Sequence, residues 1–497
     1  MAVDSSHSVL RSAKVFFAGT VLSRISGLLR DIAMAISFGS SAEIAAFMVA
    51  YRLANLFRRL LGEGNLQAGF VPHFTALKEQ GIFFYRDAVF SMGVILCLAV
   101  LILEAILGGC TFWVSSGWIE IVELAMWMVP GLFFICLYGL NSALLQCQKR
   151  YFLPAVAPVA FNLIWIGAVL FRPNIWFLSL AITLAFAAQW LTTAFAGASL
   201  LSLKEWLRPK FFSPDFKGLL KPLLLGIVGI GAVQFNSALD AIFARLADLE
   251  WPAFLWYAIR IQQLPLALFG IALSGALLPP LSRAADPLLR RELLISALRH
   301  SATLMLFCTF ALFALAPAGV NLLYGHGDFT PDAVRQTSRC LCAYGLGLIP
   351  SVFVLLLATR FYAEKDYRTP SLASLWAVGA NLALNALFVF GFRLGAVSIA
   401  LATSLSSWLN MALLARGVFT PAFGIFFGKM ILASAVPALA TLTLAQWVMD
   451  PLPRSLGEQL LQFATLSAVY LGSFAIIAWR LKLTDIWALV QKRGAEI

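Results

Sequence analysis

The chain has 497 residues, is 61% hydrophobic and only 12% charged, and carries a net charge of +12. Soluble domains run near half apolar and a quarter charged, so soluble, disordered, collagen-like and disulfide-scaffold folds are excluded. The apolar runs, Ser91–Gly109 and Phe310–Leu323 among them, are long and unbroken, unlike the ~10-residue alternating strands of a membrane barrel.

What remains is an all-α polytopic membrane protein, since a helix of about 20 residues crosses the hydrocarbon and satisfies its own backbone there. Hydropathy read against turn signals predicts fourteen spans: 15–38, 44–70, 88–112, 121–146, 154–171, 175–201, 221–247, 252–280, 297–323, 333–362, 370–391, 395–416, 428–449 and 461–480. Pro154 and Pro370 open spans where a missing N–H costs nothing. Arg172-Pro173-Asn174 and Tyr324-Gly325-His326-Gly327-Asp328 read as turns. With the N-terminus placed in the cytoplasm, 23 loop Lys and Arg fall inside and four, Arg172, Arg335, Arg393 and Arg454, fall outside. The positive-inside rule then puts both termini in the cytoplasm. Basic residues spread over short loops in this way offer no nucleic-acid site. The first apolar stretch is interrupted by Arg24 and Arg30 and reads as a span, not a signal peptide. The seven cysteines, 97, 110, 136, 147, 308, 340 and 342, lie mostly in apolar segments and read as small core residues.

Two passages echo one another. A shift of 208 puts Arg52 on Arg260, Gly62 on Gly270, Ala68 on Ala276 and Pro72 on Pro280; a shift of 216 puts Lys149-x-Tyr151-x-x-Pro154 on Lys365-x-Tyr367-x-x-Pro370. Both shifts equal six spans. This predicts a parallel repeat of two six-helix lobes, residues 1–217 and 218–420, plus two extra C-terminal helices over 421–497 with a groove for a lipid tail. Repeats of this kind place a substrate at the interface between lobes.

Charge inside spans is the other signal. Arg24, Arg30, Asp31, Arg52, Arg58 and Arg59 fall in or beside the first two spans, and Asp240, Arg245 and Arg260 in the seventh and eighth. Each costs about 2.5–3.5 kcal/mol at the bilayer centre on insertion scales, so such residues face wet cavities or partners. Snorkelling to the headgroups is the competing explanation, strongest for Arg58-Arg59. Arg24 and Asp31 are seven apart on one helical face, as a charge pair would be, and Gly19 and Gly27 allow bending or close helix approach. The cavity candidates are mainly cationic, and guanidinium forks bind phosphate, so an anionic phosphate or pyrophosphate substrate is expected. An exporter of organic cations would show carboxylates instead. Asn381 and Asn385 share a face of the eleventh span. Together with Asp240 they are either interhelical glue or a cation site of hard oxygens, with Thr403 on the twelfth span as a further oxygen. Glu104 sits mid-span without a sequence-visible partner. The four histidines (7, 73, 300 and 326) are scattered, and Trp113, Trp118, Trp176, Trp206, Trp251 and Trp479 near span ends read as an interfacial belt.

Residues 22–74 carry Ser23-Arg24-Ile25-Ser26-Gly27-Leu28-Leu29-Arg30-Asp31, Asn55-Leu56-Phe57-Arg58-Arg59, Glu63-Gly64 and Ala68-Gly69-Phe70-Val71-Pro72. Further on stand Tyr257-Ala258-Ile259-Arg260, Leu277-Leu278-Pro279-x-Leu281-Ser282 and Asp366-Tyr367-Arg368-Thr369-Pro370. This set resembles the MurJ (MviN) family, bacterial lipid II flippases of the multidrug/oligosaccharidyl-lipid/polysaccharide exporter superfamily, over essentially the whole chain. The resemblance implies a flippase of the bacterial inner membrane. It would move lipid II, an undecaprenyl-pyrophosphate-linked disaccharide peptide, from the cytoplasmic to the periplasmic leaflet by alternating access for cell-wall synthesis. It also implies that Arg24, Arg30, Arg58 and Arg260 line a central cavity, with Arg52 beside them. Members can bind sodium in the second lobe, where Asp240, Asn381, Asn385 and Thr403 would supply oxygens; no other cofactor is expected, and a monomer is. Two positions depart from the family: Ala45 and Gln263 stand where it has acids, and Glu43 is the nearby acid available to replace the first. A flippase for another lipid-linked oligosaccharide and an ion-coupled multidrug exporter are the alternatives. A membrane glycosyltransferase or acyltransferase would need an acid or His dyad near a phosphate site, and the sequence shows none.

Overall fold

The computed structural model describes residues 6–61, 65–171, 174–198, 200–284, 286–448, 452–453 and 455–483. Within these, side chains are described except at 6–17, 57, 59–61, 65–68, 79, 196, 198, 221–230, 232–233, 268, 271–272, 275–276 and 279. His7, the Glu63-Gly64 motif, the turn at Arg172-Pro173, Arg454, the C-terminus and the Arg59 side chain lie outside the described residues.

The described chain is helical, with no strand. The first unit, Met1–Ile242, contains α1 (Ser6–Phe38), α2 (Ala42–Leu61), α3 (Asn65–Ala76), α4 (Gly81–Cys110), α5 (Ser116–Met128), α6 (Gly131–Cys147), α7 (Phe152–Val156), α8 (Pro158–Phe171), α9 (Ile175–Ala198), α10 (Leu203–Trp206) and most of α11 (Pro214–Ala247). The second, Phe243–Ile497, contains α12 (Trp251–Pro265), a π-helical turn at Leu266–Gly270, α13 (Ile271–Arg283), α14 (Pro287–Tyr324), α15 (Pro331–Gly345), α16 (Leu348–Ala363), α17 (Arg368–Ala386), α18 (Val397–Leu414), α19 (Pro421–Val448) and α20 (Leu456–Arg480). The units part inside α11, downstream of the expected boundary at 217, and α19 and α20 pack on α14 within the second unit.

Each predicted span falls on helix, but several are two helices. The span 121–146 is α5 and α6, bent by 42° at Pro130, where proline removes a ladder N–H. Gly131 follows because a Cβ there would stand 2.7 Å from the Phe186 ring. The span 333–362 breaks likewise into α15 and α16, and a Cβ on Gly347 would lie 2.7 Å from Ser404 Oγ. Helices also outrun the apolar windows: α4 starts at 81 rather than 88, and α14 at 287 rather than 297. Hydropathy registers the hydrocarbon crossing, whereas a helix keeps its ladder beyond it.

The repeat reappears in the packing. In the first unit α2 packs on α5, α3 on α6, α4 on α5 and α6, and α5, α6 and α8 on α9. In the second, α12 packs on α15, α13 on α16, α14 on α15 and α16, and α15, α16 and α17 on α18. The order is the same. The echoed turns agree in backbone as well: Lys149 and Lys365 take positive φ of 62° and 61°. Tyr151 and Tyr367 stand at φ −88° in both copies.

Nine described helical segments are long and apolar enough to cross a membrane, ten if the bent α5–α6 pair is one span. Neither α1, α2, α11 nor α12 is among them. Those four carry Arg24, Arg30, Asp31, Arg52, Arg58, Asp240, Arg245 and Arg260.

Candidate functional site

In the first unit the arginines of α1 have different surroundings. Arg24 is exposed and lines an open pocket of about 360 Å³ with Thr20, Ser23, Tyr138, Ser142, Gln146, Pro154 and Ala155. The pocket exists because α1 approaches α7 closely at Gly19, where a Cβ would stand 2.7 Å from that of Ala155. Tyr138 donates its hydroxyl proton to the Pro154 carbonyl at 2.7 Å, which fixes the wall, and Ser142 Oγ is buried without a hydrogen-bond partner. A guanidinium among hydroxyls and an amide suits a polar anion.

Arg30 is committed. It is 7% exposed and Asp31 3%. Its Nη2 and Nε donate to Asp31 Oδ1 at 2.8 and 3.2 Å, its Nη1 donates to Asn162 Oδ1 at 3.1 Å, and its guanidinium lies 4.5 Å above the Trp165 ring. Asn162 in turn donates to Ser26 Oγ at 2.8 Å, tying α8 to α1. The ion pair of Asp31 is thus with its chain neighbour rather than with Arg24, as expected from their seven-residue spacing. Two helical turns put about 10.5 Å of axis between Arg24 and Asp31, while Arg30 needs only to curl back.

On α2, Arg52 and Arg58 are half-buried, and Arg58 lies 5.8 Å over the Phe186 ring of α9. Glu43 is exposed in the first turn of α2, whereas Ala45 is fully buried. Two residues of helix turn a side chain by about 200°, so Glu43 does not stand in for the family acid at 45. A second adjacent pair, Arg86–Asp87, is also buried: Arg86 Nη2 donates to Asp87 Oδ1 at 2.6 Å, and Arg86 Nη1 to the Glu205 carbonyl at 3.0 Å. Lys210 N donates to Asp87 at 2.9 Å. Arg86 was expected in a loop; it fastens α4 to the connection around α10. That connection is itself held by a capping box in which Ser202 bonds Glu205, keeping the Glu205 carboxyl below its ordinary value.

In the second unit Arg260 is half-buried and stacks 4.4 Å over Trp256, one turn earlier on α12. Asn385 donates to Asn381 Oδ1 at 2.8 Å, Asn381 donates to Thr403 Oγ1 at 3.4 Å, and Thr403 donates to the Ile399 carbonyl at 2.9 Å. These three predicted oxygen donors do come together, as a network linking α17 to α18. Asp240 is buried on the part of α11 that belongs to the first unit. Among the described residues no three His, Cys, Asp or Glu cluster at a metal-binding distance.

Sequence reasoning missed the rings and amides that hold the arginines: Asn162, Trp165, Phe186 and Trp256. Trp256 could have been found, since i and i+4 share a helix face. Asn162 and Trp165, three apart in an otherwise apolar span, carried a weaker form of the same signal. The motif Asp366-Tyr367-Arg368-Thr369-Pro370 opens α17. Asp366 accepts from the amides of Arg368 and Thr369 at 3.0 Å and from Thr369 Oγ1 at 2.6 Å.

Known proteins resemble the chain over most of its length. The family model "Lipid II flippase MurJ" matches residues 34–455. A probable lipid II flippase MurJ of Chlamydia muridarum is 33% identical over 432 residues, covering 83% of this chain and 79% of that protein. A solved lipid II flippase MurJ in an inward closed conformation superposes with a TM-score of 0.77 at 23% identity, over 94% of this chain and 99% of that one. An inward-facing multidrug MATE transporter of the MOP superfamily shares the fold at a TM-score of 0.65 and 13% identity, over 84% of this chain and 98% of that one.

Proposed function

The chain belongs to the lipid II flippase MurJ family, and from this we propose that it flips lipid II from the cytoplasmic to the periplasmic leaflet by alternating access, with no covalent chemistry. The observation that carries the reading within the superfamily is the sign of the charge. Arg24 stands in a hydroxyl-lined pocket and Arg52, Arg58 and Arg260 are half-buried on weakly apolar helices, and the buried acid Asp31 is paired with Arg30. A pyrophosphate suits such cations; an organic cation does not.

In this reading Arg24, Arg52, Arg58 and Arg260 contact the pyrophosphate and sugar headgroup, and Arg30 holds α1 against α8 to position Arg24. The polyprenyl tail runs along α19 and α20, which bear exposed Ile425, Leu439, Leu461 and Ile476. The protein is multi-pass; we assign it to the inner membrane as a monomer with both termini cytoplasmic, on the 23-to-4 charge bias. The test is rescue of a bacterial strain depleted of its lipid II flippase. Growth with normal shape supports the reading. Lysis despite membrane insertion at normal level, with transport of a different lipid-linked saccharide, overturns it.

A further inference from the structure

Where α14 begins and α16 ends, the second unit holds a cavity of about 260 Å³ lined by Pro287, Arg290, Arg291, Arg360, Glu364 and Val418. Three guanidinium groups face one carboxylate. Glu364 pairs with Arg360, Oε1 to Nε at 3.9 Å, which leaves Arg290 and Arg291 as the excess positive charge of the lining. Arg290 Nε donates to the Ala284 carbonyl at 2.6 Å, which fixes that guanidinium while its Nη groups stay outside the bond. The first turn of α14 lines the same cavity, and its end is capped by Asp286, which accepts from Leu288 N at 3.0 Å.

At this end of the repeat the described residues of the two units differ. In the first unit the matching end of α4 is covered by the connection around α10. There Arg86 and Asp87 bind each other, the Glu205 carbonyl and the Lys210 amide, and Trp206 packs on Tyr85 and Phe90. In the second unit the corresponding connection, 415–420, is a short turn through Gly417 at φ +71°. It borders the cavity without closing it, so Arg290, Arg291 and Arg360 line an open cavity there.

We propose that this cavity binds the phosphate headgroup of an anionic phospholipid from the cytoplasmic leaflet. Concave positive charge recruits an anion, and basic pockets between membrane helices on the cytoplasmic side suit acidic headgroups. A volume below the usual 300–1,000 Å³ of a small-molecule site admits a headgroup and leaves the acyl chains outside. Leu288 and Leu289, in the same first turn of α14, are 69% and 45% exposed, apolar surface that acyl chains can cover and a soluble phosphate cannot use.

The test is binding of dioctanoyl phosphatidylglycerol, dioctanoyl phosphatidylcholine and inorganic phosphate to the full-length chain in neutral detergent. Native mass spectrometry and the melting temperature are the readouts. Phosphatidylglycerol should bind at least tenfold more tightly than the zwitterionic lipid of equal chain length. Arg291→Gln and Arg360→Gln should each weaken it roughly tenfold, the loss of one charge-assisted bond, without lowering the melting temperature of the lipid-free protein. Arg291→Lys should lose less than Arg291→Gln. Equal binding of the two lipids, or phosphatidylglycerol binding untouched by either glutamine variant, overturns the site. Inorganic phosphate binding as tightly as phosphatidylglycerol overturns the lipid assignment. No lipid II is present in the assay, so its outcome is independent of the flippase reading.

Discussion

Replacing Arg30 by alanine should unfold the first unit more readily, whereas replacing Arg24 on the same helix should leave stability intact. Arg30→Ala removes two hydrogen bonds to Asp31, one to Asn162 and a stack on Trp165, and takes the Arg30 cation away from a carboxylate that is 3% exposed. Breaking a buried ion pair from one side costs about 3–5 kcal/mol. For a unit of this size that corresponds to a fall in melting temperature on the order of 10 °C. Arg24 is exposed in an open pocket, and surface substitutions of that kind stay within about 0.5 kcal/mol. The assay is a melting curve in detergent beside complementation at matched expression, with the double variant Arg30→Ala/Asp31→Asn as control. The double variant should recover more than half of the lost stability, because the buried carboxylate charge is gone. Arg24→Ala should melt like the parent and fail to support growth. If Arg30→Ala melts like the parent, or the double variant is no better than the single, Arg30 is not the structural member of the pair.

Three further outcomes follow from individual contacts. Gly19→Ala should cost about 1–3 kcal/mol by overpacking, since its Cβ would stand 2.7 Å from Ala155, whereas Gly27→Ala, 3.7 Å from Asn162, should be tolerated; equal melting of the two would refute the close α1–α7 contact. Asp366→Ala should lower the melting temperature at neutral pH, because the Thr369 hydroxyl and amide hold the Asp366 carboxyl below its ordinary value. A depressed carboxyl contributes above its unfolded pKa and loses that contribution as pH falls through the folded one, so the deficit should vanish in acid, and a deficit constant with pH would exclude the cap. Asn381→Ala should cost about 1–3 kcal/mol, because it removes the bonds to Asn385 and Thr403 that link α17 to α18; a melting curve unchanged from the parent would refute that network.

Hydropathy and turn residues were enough to show an all-helical membrane fold and the repeat, because both depend on composition along the chain. The Lys149 and Lys365 turns carried the repeat in sequence and keep it in backbone conformation. Bends were hidden: a span broken at Pro130 is as apolar as a straight one. The Arg30–Asp31 and Arg86–Asp87 pairs were hidden for a different reason. Neighbours on a helix point about 100° apart and are not normally partners, so spacing favoured the seven-residue pair. Only the long arginine stem, curling back along the helix, makes the adjacent pair work.

The same stem accounts for how this chain carries cations inside a bundle. Arg30, Arg58 and Arg260 each lie over an aromatic ring, of Trp165, Phe186 and Trp256 respectively. Stacking occupies the flat face of a guanidinium, whereas its N–H donors point outward in the plane. A ring therefore offsets part of the desolvation cost without consuming the edge that would fork a phosphate. A carboxylate offsets more of the cost but consumes that edge. Arg30 has both ring and carboxylate, which makes it a strut. For Arg58 and Arg260 the ring covers only the flat face. Lysine has no such plane to lay flat on a ring, so it could not be held by Trp165, Phe186 or Trp256 in the same way.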